Sequence, residues 1–353
     1  MSASGASNPE YVNARVRARR ASLFDEEDYR KLVRMGPSGI ARYMEESEYE
    51  AEINALGSRH SGVDLIEHAL HRNMAKHFHD LLSWSNGALH EQIARYLRKY
   101  DAWNLKTVIR GIYTDSTFNE YESDLVLAGE IDRSILEQMA AMETIREAVT
   151  LLEGTIYAEP LAEAVATYEA DAGVLVPIEN AIDRAFYTGL VSHIGEEAPR
   201  EGPLAMYVEF LQAEIDFLNV RNALRLAKSG ADIDPETYFI EGGLLFSRGE
   251  LQGLISSPEE LIQTIRESTY GDELDEALSA IEDADSLIQF EHALNGVLLS
   301  YTGRLANVHP VSVTSIFSYI LAKEREIENI RAIARGKEAG LDETAIEQEL
   351  VLS

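Results

Sequence analysis

The sequence predicts an all-α protein built from three homologous helical domains, and three observations carry that prediction. The pentapeptide Ile66-Glu67-His68-Ala69-Leu70 recurs as Ile178-Glu179-Asn180-Ala181-Ile182 and as Phe290-Glu291-His292-Ala293-Leu294, spaced 112 residues apart both times. Behind each copy stands a second signature, acid-x-x-Asn-apolar-basic, with an arginine four residues past the basic position. Its copies are Asp101, Asn104, Leu105, Lys106 and Arg110; Asp216, Asn219, Val220, Arg221 and Arg225; and Glu326, Asn329, Ile330, Arg331 and Arg335. The gaps from the pentapeptide Glu to the Asn are 37, 40 and 38 residues, so the two patterns keep step three times. Third, helix signals dominate, and no alternating β-branched run is joined by a hairpin turn. The repeats divide the chain near 1–122, 123–238 and 239–353.

Only nine prolines occur, several of them at helix starts. Ser257-Pro258-Glu259-Glu260 reads as an N-cap, a proline at the first helical position and a Glu at N3, and Asp234-Pro235-Glu236 reads the same way. Gly195–Pro203 and Gly303–Pro310 read as loops. In the second signature the apolar positions fall one, four, five and eight residues after the Asn, as in Leu105, Val108, Ile109 and Ile112. That spacing is one face of an amphipathic helix, with the two basic residues as neighbours one turn apart beside it. Two readings of this helix stand. It is a packing helix with a charged shoulder, its Asn bonded to a neighbouring backbone, or it makes an interdomain or partner contact repeated three times around an axis.

With 353 residues, 45% of them apolar, the chain can build a substantial core. Its 61 acidic against 31 basic residues give a formal net charge of −30. Such a surface repels phosphate backbones and anionic lipid, which argues against direct nucleic-acid binding. Only seven of the basic residues are lysines: 31, 76, 99, 106, 228, 323 and 337. A large acid excess with little lysine points to a cytoplasm of multimolar salt, where the Debye length is roughly 3 Å at 1 M and self-repulsion is screened. The absence of cysteine excludes disulfides, thiolate metal sites and a cysteine nucleophile. Apolar runs such as Val174–Ile178 fall far short of the ~20 residues that span a bilayer. The opening MSASGASNPEY lacks the design of a signal peptide.

Chemical motifs are wanting. Gly242-Gly243 and Gly336-Lys337 lack phosphate-loop spacing, and neither a nucleophile elbow nor an HExxH helix occurs. One cluster stands out: His60, His68, His71, His77 and His79, five of the nine histidines. His68 and His71 can share a helix face with Glu67 nearby, whereas His77 and His79 point apart. A helical-bundle metalloenzyme would need Glu-x-x-His pairs from several helices, and the sequence offers no such set. With 61 acids a carboxylate pair by itself identifies no acid–base dyad.

The segment 309–352, HPVSVTSIFSYILAKEREIENIRAIARGKEAGLDETAIEQELVL, resembles the C-terminal end of the C subunits of archaeal A-type ATP synthases, relatives of the d subunits of vacuolar ATPases. Tyr11-Val12-Asn13-Ala14-Arg15-Val16-Arg17 resembles the opening of the same family, and the triplication covers the whole chain. The resemblance implies a pseudo-threefold funnel of three helical domains, seated on the ring of membrane proteolipids (c/K) at the cytoplasmic face. It implies that the socket receives the D and F subunits of the central stalk, so that torque from proton flow reaches the A and B head. It carries over no catalytic residue, no cofactor and no metal ligand. The twelve signature residues Glu67, Glu179, Glu291, Asn104, Asn219, Asn329, Lys106, Arg221, Arg331, Arg110, Arg225 and Arg335 are the structural or interface candidates. The alternatives are a helical adaptor of another complex and a metalloenzyme built on the His60–His79 cluster.

Folding concentrates the net charge of −30 on a compact body. Against a native stability of about 5–15 kcal/mol, that repulsion is large enough to matter. The melting temperature is expected to rise steeply with KCl, mostly through screening, and to level off by about 1 M. A flat profile between roughly 0.1 and 2 M KCl would contradict the halophilic reading.

Overall fold

The computed structural model describes residues 6–170, 175–192, 201–229, 238–255, 257–272, 274, 275, 278, 279 and 288–351, without the side chains of 168–170, 203, 228, 229, 288, 289, 291 and 292. Every regular element among them is helical. By density of contacts the chain forms two compact units, residues 1–151 with 310–352 and residues 152–309. These units mark where the chain packs, whereas the proposed division at 1–122, 123–238 and 239–353 marks where the sequence repeats.

The first unit is assembled around one helix from the far end of the chain. It holds α1 (Pro9–Arg20), α2 (Glu26–Val33), α3 (Pro37–Glu45), α4 (Glu50–Leu56), α5 (Gly62–Trp84), α6 (Gly87–Leu97) and α7 (Lys99–Tyr113). The short α8 (Phe118–Tyr121), then α9 (Arg133–Ala140) and α10 (Ile145–Thr150), complete its N-terminal part. The α17 helix (Val313–Glu338) and α18 (Glu343–Gln348) close it. Helix α17 packs against α1, α2, α3, α5 and α6. A helix surrounded in this way must be apolar on several faces. Ile316, Phe317, Tyr319, Ile320, Ile327, Ile330 and Ile333 are all buried, and the Phe317 ring lies 4.4 Å from that of Tyr96.

Local chemistry sets the helix ends. Pro9 and Pro37 begin α1 and α3, where a missing N–H costs nothing. Asp25 and Asp28 form a reciprocal capping box on α2. Gly340 ends α17 with φ 74°, a left-handed conformation that favours glycine. The Leu341 N–H then donates to the Gly336 carbonyl at 2.9 Å. The two termini of this unit are tied: Asn13 donates to the Ser312 carbonyl at 3.2 Å and Arg20 to the Ser318 hydroxyl at 2.8 Å.

The second unit comprises α11 (Ala158–Ala170), α12 (Val176–Val191), α13 (Pro203–Ser229), α14 (Arg248–Leu254), α15 (Pro258–Arg266) and α16 (Ile288–Val308). Its core sets Phe217, Val220 and Leu224 of α13 against Leu261, Ile265, Tyr270, Phe290 and Leu294. Ser247 caps α14 in a box with Glu250. Pro258 begins α15 as the sequence suggests, although the Ser257 side chain makes no capping bond. The Asp234-Pro235-Glu236 start lies outside the described residues, as does most of the 195–203 loop. Gly303–Pro310 is not a loop as expected: α16 continues to Val308. Leu305 and Ala306 are buried there and hold the helix past Gly303, and only Pro310 marks its limit.

Candidate functional site

Three asparagines of the second signature make the same pair of hydrogen bonds. Asn104 on α7 donates to the Val126 carbonyl and accepts from the Val126 N–H, both at 2.8 Å. Asn219 on α13 does so with Ile240 at 2.8 and 2.9 Å. Asn329 on α17 does so with Val351 at 3.1 and 2.9 Å. Val126, Ile240 and Val351 are buried and lie outside helices, so their peptide groups have no intrahelical partners. A carboxamide carries one donor edge and one acceptor edge, and it satisfies both groups of one residue as a neighbouring strand would. Each asparagine is about 1% exposed, so no water substitutes for it.

The acid one turn earlier makes a second clasp on the same side. Asp101 accepts from the N–H groups of Glu130 and Ile131, each at 2.9 Å. Asp216 accepts from the Leu245 N–H at 2.8 Å and the Tyr270 hydroxyl at 3.1 Å. Both carboxylates lie against glycine. A Cβ on Gly129 would stand 2.0 Å from Asp101 Oδ1, and one on Gly243 would stand 2.2 Å from Asp216 Oδ1. Burial pushes the Asp101 carboxyl up to about 6 against the opposing pull of its two backbone donors, and it raises Asp216 for the same reason. The third acid, Glu326, reaches the beginning of the chain. It accepts from the Phe24 N–H at 2.6 Å, the Tyr49 hydroxyl at 2.5 Å and Lys323 Nζ at 2.6 Å. Lys323 is fully buried, donates to the Tyr49 oxygen at 2.9 Å and stands 4.2 Å from the Tyr49 ring centre. Burial lowers the Lys323 ammonium, and Glu326 opposes that shift.

Sequence reasoning missed Tyr49 and Tyr270, although a signal was present. Ser47-Glu48-Tyr49, Thr155-Ile156-Tyr157 and Ser268-Thr269-Tyr270 form a third repeated pattern. In each, the hydroxyl donates to the carbonyl three residues back, at 2.7, 2.8 and 2.6 Å. Each hydroxyl also accepts the tyrosine N–H, at 3.3, 3.2 and 3.2 Å. All three tyrosines are buried.

The pentapeptide glutamate meets the signature arginines in the first unit. Glu67 on α5 accepts from Arg331 Nε at 3.1 Å and from Arg335 Nε, and Arg331 also bonds Asp124 at 2.6 Å. Burial opposes the Glu67 charge, yet the two guanidiniums hold its carboxyl below the usual carboxylate range. Lys106 and Arg110 lie on α7, half-buried and exposed; Arg221 and Arg225 stand likewise on α13. Glu179 is half-buried in the first turn of α12. Glu291 belongs to α16, but its side chain lies outside the described residues.

The histidines divide. His71 bonds the Ser123 carbonyl, and His77 contacts the Tyr319 hydroxyl at 2.6 Å. Burial, with help from Lys323, pushes His77 down to about 2, so it is neutral. With Glu67 held by arginines and His71 by a backbone carbonyl, the Glu67–His71 face presents no free ligand pair. No helix among the described residues is long and apolar enough to cross a membrane.

Fold and clasps together define a helical protein in which three buried asparagines at like sequence positions hold non-helical backbone. Residues 12–349 match the family model described as "ATP synthase (C/AC39) subunit". The chain is 61% identical to the A-type ATP synthase C subunit of Haloferax volcanii, with all of both chains covered. It is 60% identical to that of Halorubrum lacusprofundi, again with both chains fully covered. It is 35% identical to that of Methanosarcina acetivorans, over 99% of this chain and 94% of the relative. The chain belongs to the ATP synthase (C/AC39) subunit family.

Replacing Asn104, Asn219 or Asn329 by alanine leaves a buried N–H unpaired and removes the amide donor to the same residue's C=O, although the Val126 carbonyl keeps the Ala128 N–H at 2.9 Å. Each change is expected to cost about 1–3 kcal/mol. Arg335→Ala removes a pair more than half exposed on the arginine side, and its expected cost is under about 1 kcal/mol. Urea unfolding in molar KCl measures both. Asparagine variants no less stable than Arg335→Ala would contradict the clasp.

Proposed function

We propose that this chain is a non-catalytic rotor subunit of an A-type ATP synthase that couples the membrane proteolipid ring to the central stalk. The match to the family over nearly the whole chain carries this reading. In it, three homologous helical domains surround a pseudo-threefold axis. One end of the funnel rests on the ring at the cytoplasmic face, the socket takes the D and F subunits, and torque from proton flow passes to the A and B head.

Physical features support that job. A coupler performs no chemistry but must not yield under load. Close-packed helices are stiff, and buried polar pairs with defined geometry resist sliding better than apolar contact alone. Asn104, Asn219 and Asn329 are such pairs, placed at like positions in the proposed repeats. In this reading the charged members of the signature, among them Lys106, Arg221 and Glu179, serve between domains or toward partners. Multimolar salt leaves only short-range charge contacts effective, which favours pairs held against protein, such as Glu67 with Arg331.

Gentle solubilisation of membranes in molar KCl, followed by affinity capture of this protein, tests the proposal. The proteolipid, D, F, A and B subunits are expected together. Capture of an unrelated complex would favour the adaptor alternative. The purified chain is expected to bind no ATP more tightly than about millimolar, because no loop with phosphate-cradling spacing occurs in its sequence. Saturable micromolar binding would contradict the coupling role.

A further inference from the structure

We propose that His60, Asp64 and His68 form a binding site for one borderline first-row divalent cation, of the Zn²⁺, Co²⁺ or Ni²⁺ class. The three residues come from two fixed pieces of backbone. His60 sits in the turn that ends α4, where its N–H and that of Arg59 both donate to the Leu56 carbonyl, at 3.0 and 2.9 Å. Asp64 and His68 sit one turn apart at the start of α5, so they share a face. One ligand atom from each residue lies within 4.8 Å of the other two. The Asp64 carboxylate reaches both imidazoles: it contacts His60 Nδ1 through one oxygen and lies 3.4 Å from His68 Nε2 through the other. The imidazole centres are 4.0 Å apart and tilted by 47°.

This is a ligand set, not only a salt bridge. Ions bound by imidazole and carboxylate at about 2.0–2.2 Å bring their ligand atoms a little over 3 Å apart. The 3.4 Å between Asp64 and His68 matches that spacing, and the His60–Asp64 contact would open to admit the ion. Two nitrogens and one oxygen suit zinc, cobalt or nickel, whereas magnesium and calcium prefer oxygen alone. An open coordination position is available too. His60 and His68 line a cavity of about 610 Å³ that also meets Asn119 and Glu122, leaving room for water or an anion on the ion. His71 and His77 are excluded by their surroundings, since His71 is held by the Ser123 carbonyl and His77 lies buried against Tyr319. Asp64, which the histidine spacing alone does not reveal, replaces Glu67 as the carboxylate partner. An ion here pins the end of α4 to the first two turns of α5. It does so without serving a reaction, so the site is compatible with a non-catalytic protein and does not rest on the coupling role.

Isothermal titration of the untagged full chain with Zn²⁺ in molar KCl tests the proposal, with Co²⁺ absorption as a second readout. One equivalent is expected to bind at micromolar affinity, to give a visible cobalt band and to raise the melting temperature. Molar-range salt should not abolish it, and excess Mg²⁺ should not displace it. The double variant His60→Ala/His68→Ala and the single variant Asp64→Asn should each weaken binding by about tenfold or more. His79→Ala, exposed on the same helix, should leave it unchanged. Circular dichroism of the variants without added metal establishes that they fold. No saturable binding by the folded chain, or binding that survives His60→Ala/His68→Ala, would overturn the proposal.

Discussion

A peptide group buried outside a helix has no intrahelical ladder to satisfy it, and this chain meets that constraint three times with an asparagine. Val126, Ile240 and Val351 are buried outside helices, 21 or 22 residues past a helical asparagine. Their N–H and C=O groups are closed by Asn104, Asn219 and Asn329. Without those carboxamides the connecting backbone would need water, and the cores built on Leu105, Val220 and Ile330 would have to open to admit it. Two of the acids one turn earlier, Asp101 and Asp216, extend the clasp to later stretches of chain. Their proximity is why glycine stands at 129 and 243, where any side chain would occupy the carboxylate's place.

The third clasp closes a long loop. Glu326 takes the Phe24 N–H and the Tyr49 hydroxyl across separations of 302 and 277 residues. Helix α17 therefore holds the first short helices of the chain, as α13 holds Leu245 and Tyr270 through Asp216. These contacts are buried and short, so dissolved ions do not screen them. That matters for a chain of net charge −30 whose relatives include Haloferax volcanii. The clasping polar groups are ones that the solvent does not reach.

Much of this was legible in the sequence, and the rest was hidden for definite reasons. The helical class and the in-step asparagines could be read because they are local patterns of fixed spacing. That an asparagine bonds a neighbouring backbone was one of two open readings, and the structure shows that bond at all three positions. Its backbone partner could not be named, because a valine or isoleucine 21 or 22 residues on carries no mark of its own. The pairing of Glu67 with Arg331 and Arg335 joins residues 264 and 268 positions apart, beyond the reach of helical periodicity. Tyr49 and Tyr270 escaped because Ser/Thr-x-Tyr is a weak pattern until its spacing is seen. The segment 303–310 was misread because glycine, asparagine and proline suggest a loop, whereas Leu305 and Ala306 keep it helical through burial.

The central claim is that three non-helical peptide groups are locked by side-chain amides. Hydrogen exchange at the backbone amides of Val126, Ile240 and Val351 tests it most directly, with the chain in molar KCl. All three should exchange orders of magnitude more slowly than exposed loop amides, and each should lose its protection when its own asparagine is replaced by alanine. Exchange at the rate of free loop amides in the unmodified protein would contradict the account.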